Sequence, residues 1–144
     1  MSTNLYEHDF YAWANTQAAL LRARKLEAAD IENIAEEIES MGRSEKRELV
    51  SRLTVLLLHL LKWQFQPERR SASWQASIRV QRHALGRHMT DNPSLKSKLD
   101  EATAYAYLDA MIEAAAETAL PEATFLQTCP WTFGQIMDQG FWPE

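Results

Sequence analysis

His59 is the side chain best placed for chemistry, because it interrupts an apolar run from Leu53 to Leu61. An imidazole in such surroundings must hydrogen-bond, and it can act as an acid, a base or a metal ligand near neutral pH. Glu37 and Glu39 flank the apolar stripe of the preceding predicted helix, so either carboxylate is a candidate partner. His59, Glu37 and Glu39 are therefore the candidate catalytic or ligand-binding residues. A structural histidine bonded to a backbone carbonyl or a carboxylate is the alternative interpretation.

Other catalytic and metal-binding patterns are lacking in the sequence. Metal sites of helical bundles commonly use Glu-x-x-His pairs, but His8, His59, His83 and His88 all have an apolar residue three positions before them. The chain has no His-Glu-x-x-His motif, no Gly-x-Ser-x-Gly motif and no glycine-rich phosphate loop. The single Cys129 has no partner for an internal disulfide and no recognisable base beside it. The sequence therefore predicts neither a metal nor a cofactor.

Charge is distributed unevenly along the chain. Residues 62–98 carry eight basic and two acidic side chains, whereas residues 99–144 carry eight acidic side chains and no basic one. A basic segment with tryptophans can contact phosphates and stack on bases, but a net charge of -5 and the lack of a nucleic-acid motif disfavour that function. We expect an internal or intersubunit match between the two segments instead. The candidate partner-binding residues are Arg69, Arg70, Arg79 and Arg87 from the basic segment, with Trp131 and Trp142 from the aromatic C-terminal tail.

Helices are the elements predicted to position these residues. The chain has 144 residues, of which 46% are hydrophobic, with only 4 glycines and 5 prolines, which favours one helical domain over residues 1–144. Helical spacing of apolar residues predicts an all-α compact bundle of about four to five helices. The predicted helices cover about residues 9–24, 31–41, 49–65, 73–91 and 93–119, followed by an irregular aromatic tail with a short helix near 132–137. Gly42 leaves open whether the second and third of these are one helix.

No part of the sequence predicts a membrane span. The most hydrophobic stretch, Leu53 to Leu61, is far shorter than the roughly 20 apolar residues that a spanning helix needs. The first residues do not resemble a secretory leader, because acidic side chains precede any apolar run. We therefore expect a cytoplasmic protein without a membrane segment.

Four stretches follow one another in an order and spacing typical of a known family. They are DFYAWANTQAALLRARKLEAADIENIAEEIESMGRSEKREL, HLLKWQFQPERRSASW, DNPSL and CPWTFGQIMDQGFWPE. Together they resemble the bacterial family called domain of unknown function 29, over nearly the whole chain. The resemblance implies a bacterial, all-helical domain, and it implies no activity, cofactor or catalytic residue.

The function predicted from these features is that of a non-enzymatic helical module that binds a protein partner or a second copy of itself. A metal- or ligand-binding site around His59 and the nearby glutamates is the first alternative. Weak nucleic-acid binding through residues 62–98 is the second.

Overall fold

The structure, a computed structural model, describes residues 4–144. Over that range it contains six α-helices and no β-strand, so the predicted all-α class is confirmed. The helices are α1 (Leu5–His8), α2 (Phe10–Arg22), α3 (Ile31–Phe65), α4 (Ala72–Asp91), α5 (Leu99–Thr118) and α6 (Phe133–Met137), with short 3-10 turns between several of them.

The helix ends follow local side-chain chemistry. Asp9 caps α2 by accepting a hydrogen bond from the Ala12 amide at 3.1 Å, and Ser71 caps α4 through the Trp74 amide at 3.2 Å. Thr132 forms a reciprocal capping box with Gln135 at the start of α6. These caps explain why the predicted boundaries near residues 9, 73 and 132 agree closely with the structure.

The last long helix differs from the prediction at its start. Residues Pro93–Lys98 form a 3-10 helix, and the α-helix begins only at Leu99. Proline suits the first helical turn because its missing N–H is not needed there, but it does not select between the two helix types.

Gly42 does not break the chain into two helices. The structure has a single helix from Ile31 to Phe65, with Gly42 and Ser44 in its interior. A glycine costs a helix about 1 kcal/mol relative to alanine, which is too little to terminate it when both flanks propagate helix. The second and third predicted helices are therefore one element.

The chain divides into two compact units, one ending at Ser44 and the other spanning Glu45–Glu144. The prediction of one domain over residues 1–144 stays a prediction. We describe each unit by itself.

The second unit has a large apolar core built around the leucines of α3. One face of that helix is buried, with exposures of 0 to 1% at Leu49, Leu53, Leu56, Leu57, Leu60 and Leu61. Ile78 and Leu85 of α4 and the small residues Ala102 and Ala106 of α5 pack in the same cluster. Small side chains let α5 approach the leucines closely, which gives the density of a well-packed interior.

The first unit, in contrast, buries very little. Among its described residues only Trp13 is buried, at 6% exposure. The Trp13 indole donates to Asp30 Oδ2 at 3.0 Å, and the Asn33 amide donates to the same oxygen at 2.8 Å. These hydrogen bonds, first that of Asn33 and then that of Trp13, lower the pKa of Asp30. The Tyr6 hydroxyl donates to Glu37, and this bond raises the pKa of Tyr6 to about 12.

No helix in the described part of the chain combines the length and the apolar character needed to cross a bilayer.

Replacing Gly42 with alanine is expected to raise the free energy of unfolding by about 0.5–1 kcal/mol, because alanine is the better helix former. A Cβ atom at Gly42 meets nothing within 4 Å, and the same holds at Gly86 inside α4, which serves as the matched control. Guanidinium unfolding followed by circular dichroism measures both variants. Destabilisation by Gly42→Ala alone would contradict a continuous α3.

Candidate functional site

His59 finds its hydrogen-bond partner on its own helix. Its Nδ1 atom lies 2.8 Å from the carbonyl oxygen of Val55, one turn earlier, and the ring is half-buried. Glu37 and Glu39 belong to the same helix, 22 and 20 positions before His59, rather than to a preceding one. Glu37 accepts the hydrogen bond from Tyr6, and Glu39 is exposed. The geometry of His59 is therefore that of the carbonyl-bonded histidine, and a catalytic role for these three residues stays a prediction.

One face of α4 presents a row of basic side chains that includes two of the candidate partner-binding residues. Arg79, His83 and Arg87 are exposed and line a surface depression of about 490 Å³ together with Gln139. His83, Arg87 and Gln139 also line an adjoining depression of about 550 Å³. The candidate residues Arg79 and Arg87 are thus brought together on one accessible basic face.

Arg70, another candidate for partner binding, is engaged within the chain. Its Nε atom donates to the Trp63 carbonyl at 2.8 Å, and its guanidinium lies over the Trp63 ring, 4.9 Å from the centroid. A second nitrogen donates to the Pro143 carbonyl at 3.4 Å. Arg69, one position earlier, is exposed. Arg70 therefore links the end of α3 to the C-terminal tail.

Arg82 holds the same tail from α4, and sequence analysis did not single it out. Its Nε and one terminal nitrogen donate to the carbonyls of Ile136 and Phe141 at 2.7 and 2.8 Å. The side chain is only 2% exposed and lies 5.4 Å from the Trp142 ring centroid. Burial lowers the pKa of Arg82, and the nearby charge of Asp138 opposes that shift. A buried guanidinium is costly unless its donors are used, and the remaining terminal nitrogen, Nη1, is buried without a partner among the described residues. The two bonds that Arg82 does make tie α4 to the tail.

The aromatic tail occupies a groove of its own unit. Trp142 packs against Trp63 with ring centroids 4.7 Å apart, and Trp131 packs edge-on against Phe141 at 6.2 Å. Trp131 and Trp142 are both half-buried. The basic segment and the tail, each predicted to meet a partner, thus contact each other within one chain.

The expected match between the basic segment and the acidic end is made mostly through carbonyl groups. Lys62 forms an ion pair with Glu117 at 2.7 Å. Arg70 and Arg82, in contrast, donate to backbone oxygens of the last residues. The arginines of this segment therefore recognise the backbone of the tail more than its acidic side chains.

Cys129 lies in a packed environment, as expected from its lack of a partner base. Its Sγ atom is 3.5 Å from the Trp131 carbonyl, and burial raises the pKa of the thiol. Burial therefore opposes formation of a thiolate nucleophile, and a backbone hydrogen bond at Trp131 offsets only part of that rise in pKa.

An exposed apolar surface lies on the first turns of α3. Ile31, Ile38 and Met41 are 50%, 63% and 67% exposed, and Ala35 between them is also exposed. At 100° per residue Ile31, Ala35 and Ile38 project from one face of the helix, with Met41 at its edge. We call these four residues the α3 stripe. The α3 stripe is thus an exposed apolar surface on a unit whose described residues bury only one tryptophan.

Sequence analysis also missed a cluster formed by Glu45, Glu48 and His88. One side-chain ligand atom from each of these residues lies within 4.8 Å of the other two. The spacing Glu45-x-x-Glu48 shows that the two carboxylates share a helix face, but no sequence signal pairs them with a histidine 40 positions later. Packing of α4 against α3 brings the three together.

Replacing Arg82 with methionine is expected to lower the free energy of unfolding by about 2–4 kcal/mol, because the two tail carbonyls lose their buried donors. Urea unfolding followed by tryptophan fluorescence measures the loss. Arg79→Met, at an exposed position of the same helix, is the control and should change the value by less than about 0.5 kcal/mol. Equal losses in the two variants would contradict the role assigned to Arg82.

Comparison with known proteins yields one match. The family model described as "Domain of unknown function DUF29" matches residues 5–142. Searches of curated proteins and of solved structures found no match. The match covers nearly the whole chain and agrees with the resemblance noted in the sequence. The chain therefore belongs to the DUF29 family.

Proposed function

We propose that this chain is a non-enzymatic association module that forms a homodimer through the α3 stripe. The observation that carries the proposal is the exposure of Ile31, Ile38 and Met41, at 50%, 63% and 67%, on a unit whose only buried described residue is Trp13. A segment of this size has too little core to be stable by itself, so it gains most from covering its remaining apolar surface.

The size of the apolar contribution supports a reversible dimer. Burying a large aliphatic side chain contributes about 1.5–3 kcal/mol relative to full exposure, and these three are already partly covered. In a two-fold dimer the three side chains of each chain are buried, six in all. The free energy of burying them offsets part of the entropy lost on association. Charged pairs at the rim would add specificity.

The charges along α3 favour a second copy over an unrelated partner. One flank of the α3 stripe is acidic in its first part and basic further along the same helix. Within the first unit its residues are Glu32, Glu36 and Glu39, followed by Arg43. In an antiparallel pair about a two-fold axis, the acidic part of each helix meets the basic part of the other. The surface is therefore complementary to itself.

Replacing Ile38 with glutamate is expected to convert the dimer into a monomer, because a charge at the centre of the stripe cannot be buried without a partner. Sedimentation velocity over a range of concentrations should give twice the 16.6 kDa chain mass for the wild type and the chain mass for the variant. Val80→Glu on α4, where Val80 is 61% exposed, is the matched control and should leave the dimer intact.

A charge reversal tests the antiparallel arrangement. Glu32→Arg should weaken the dimer, and adding Arg43→Glu should restore it, because these two positions are about three turns apart on one helix and can meet only across the two-fold axis. Glu36 is unsuitable for this test because it already pairs with Arg43 of its own chain at 3.4 Å. A wild type that stays monomeric at every concentration would overturn the proposal. A dimer that survives Ile38→Glu and is lost with Leu108→Glu would place the interface on α5 and overturn it as well.

A further inference from the structure

His88 is a buried histidine that the association surface does not use. It lies on α4 within the second unit, and its side chain is 6% exposed. Glu45 and Glu48 approach it from α3, and their side chains are about half exposed, at 48% and 46%. The cluster therefore has a buried inner ligand and an outer side open to water.

The hydrogen bond at Nε2 determines which ring nitrogen is free. His88 Nε2 lies 2.8 Å from the backbone oxygen of Glu45. A carbonyl oxygen only accepts, so Nε2 carries the hydrogen and donates it. In this tautomer of the neutral ring, Nδ1 has an unshared electron pair and faces Glu48.

The space between Nδ1 and Glu48 fits a positive species. His88 Nδ1 and Glu48 Oε2 are 3.4 Å apart, and no hydrogen bond joins them among the described residues. An electron pair that faces a carboxylate oxygen is repelled unless a proton or a metal cation lies between them, and Arg52 already donates to that oxygen. In a tetrahedral site with ligand bonds of about 2.1 Å, neighbouring ligand atoms are separated by roughly 3.4 Å.

The surroundings are those of a metal ligand set with supporting contacts. A histidine that binds a metal through one nitrogen usually donates from the other to a carbonyl or carboxylate, as His88 does to Glu45. Arg52 Nε lies 3.1 Å from Glu48 Oε2 and holds that carboxylate in place. The Glu45 carboxylate is the third candidate ligand: its Oε2 lies 3.6 Å from His88 Nε2, and one ligand atom from each of the three residues lies within 4.8 Å of the other two. Its half-exposed side chain must turn from the Nε2 edge of the ring towards Nδ1 to join the site. Imidazole and carboxylate ligands suit zinc and similar divalent ions.

We propose that His88 Nδ1 and the carboxylates of Glu45 and Glu48 bind one divalent transition-metal ion, with water completing its coordination. This site goes beyond the association function, because none of its residues belongs to the α3 stripe. With three protein ligands and an open outer position, the metal both ties α3 to α4 and remains accessible to a small anionic ligand.

Zinc titration of the full chain, purified without a histidine tag and treated with a chelator, tests the proposal. Calorimetry should show saturable uptake of about one zinc ion per chain, and zinc should raise the melting temperature. The double variant Glu45→Gln, Glu48→Gln should bind roughly tenfold more weakly or worse and lose that rise. Its side chains are partly exposed, so the variant should still fold, which circular dichroism checks.

Two control variants separate this site from adventitious binding. Glu68→Gln, at an exposed position in the turn between α3 and α4, and His83→Ala, an exposed histidine on α4, should keep the wild-type affinity for zinc. Cobalt should give a visible absorption band that is absent from the double variant. No saturable uptake, or uptake that survives the double variant and is lost with His83→Ala, would overturn the proposal.

Discussion

Burial of the leucine face of α3 is the interaction on which the rest of the second unit depends. Six leucines between Leu49 and Leu61 are almost fully shielded from water. The α4 and α5 helices contribute Ile78, Leu85 and alanines to the same cluster. Because apolar burial has no direction of its own, the orientation of each helix is set by which side chains fit against those leucines. That packing also places His88 of α4 beside two glutamates of α3.

The C-terminal tail is positioned by a different kind of interaction. Arg82 and Arg70 donate to tail carbonyls, and Trp142 packs between Trp63 and the Arg82 guanidinium. A segment with only one short helix leaves many backbone oxygens without partners, and the buried Arg82 and the exposed Arg70 supply donors to some of them. Two arginines of the basic segment, Arg70 and Arg82, thus stabilise the fold of their own chain. Arg79 and Arg87 of the same segment remain on the surface.

The two units contrast in how much of their apolar surface is covered. The second unit encloses a large core, whereas the described residues of the first bury only Trp13 and expose the α3 stripe. Polar contacts among Tyr6, Asp30, Asn33 and Glu37 organise the first unit, but net hydrogen bonds contribute little to stability beside apolar burial. The proposed association would cover the apolar surface that the first unit leaves exposed.

The sequence by itself determined the helical class, most helix ends and the buried face of α3, because these depend on local caps and on 3.6-residue periodicity. It also identified the basic face of α4. Only the tertiary structure decided that Gly42 lies inside one helix, since a cost of about 1 kcal/mol does not determine the outcome locally. The same is true of the partner of His59, the burial of Arg82 and the grouping of His88 with Glu45 and Glu48. The partner of His59 depends on the rotamer of one side chain. The burial of Arg82 and the His88 cluster depend on which residues of different elements come into contact. The spacing of residues along the chain specifies neither the rotamer nor the contacts.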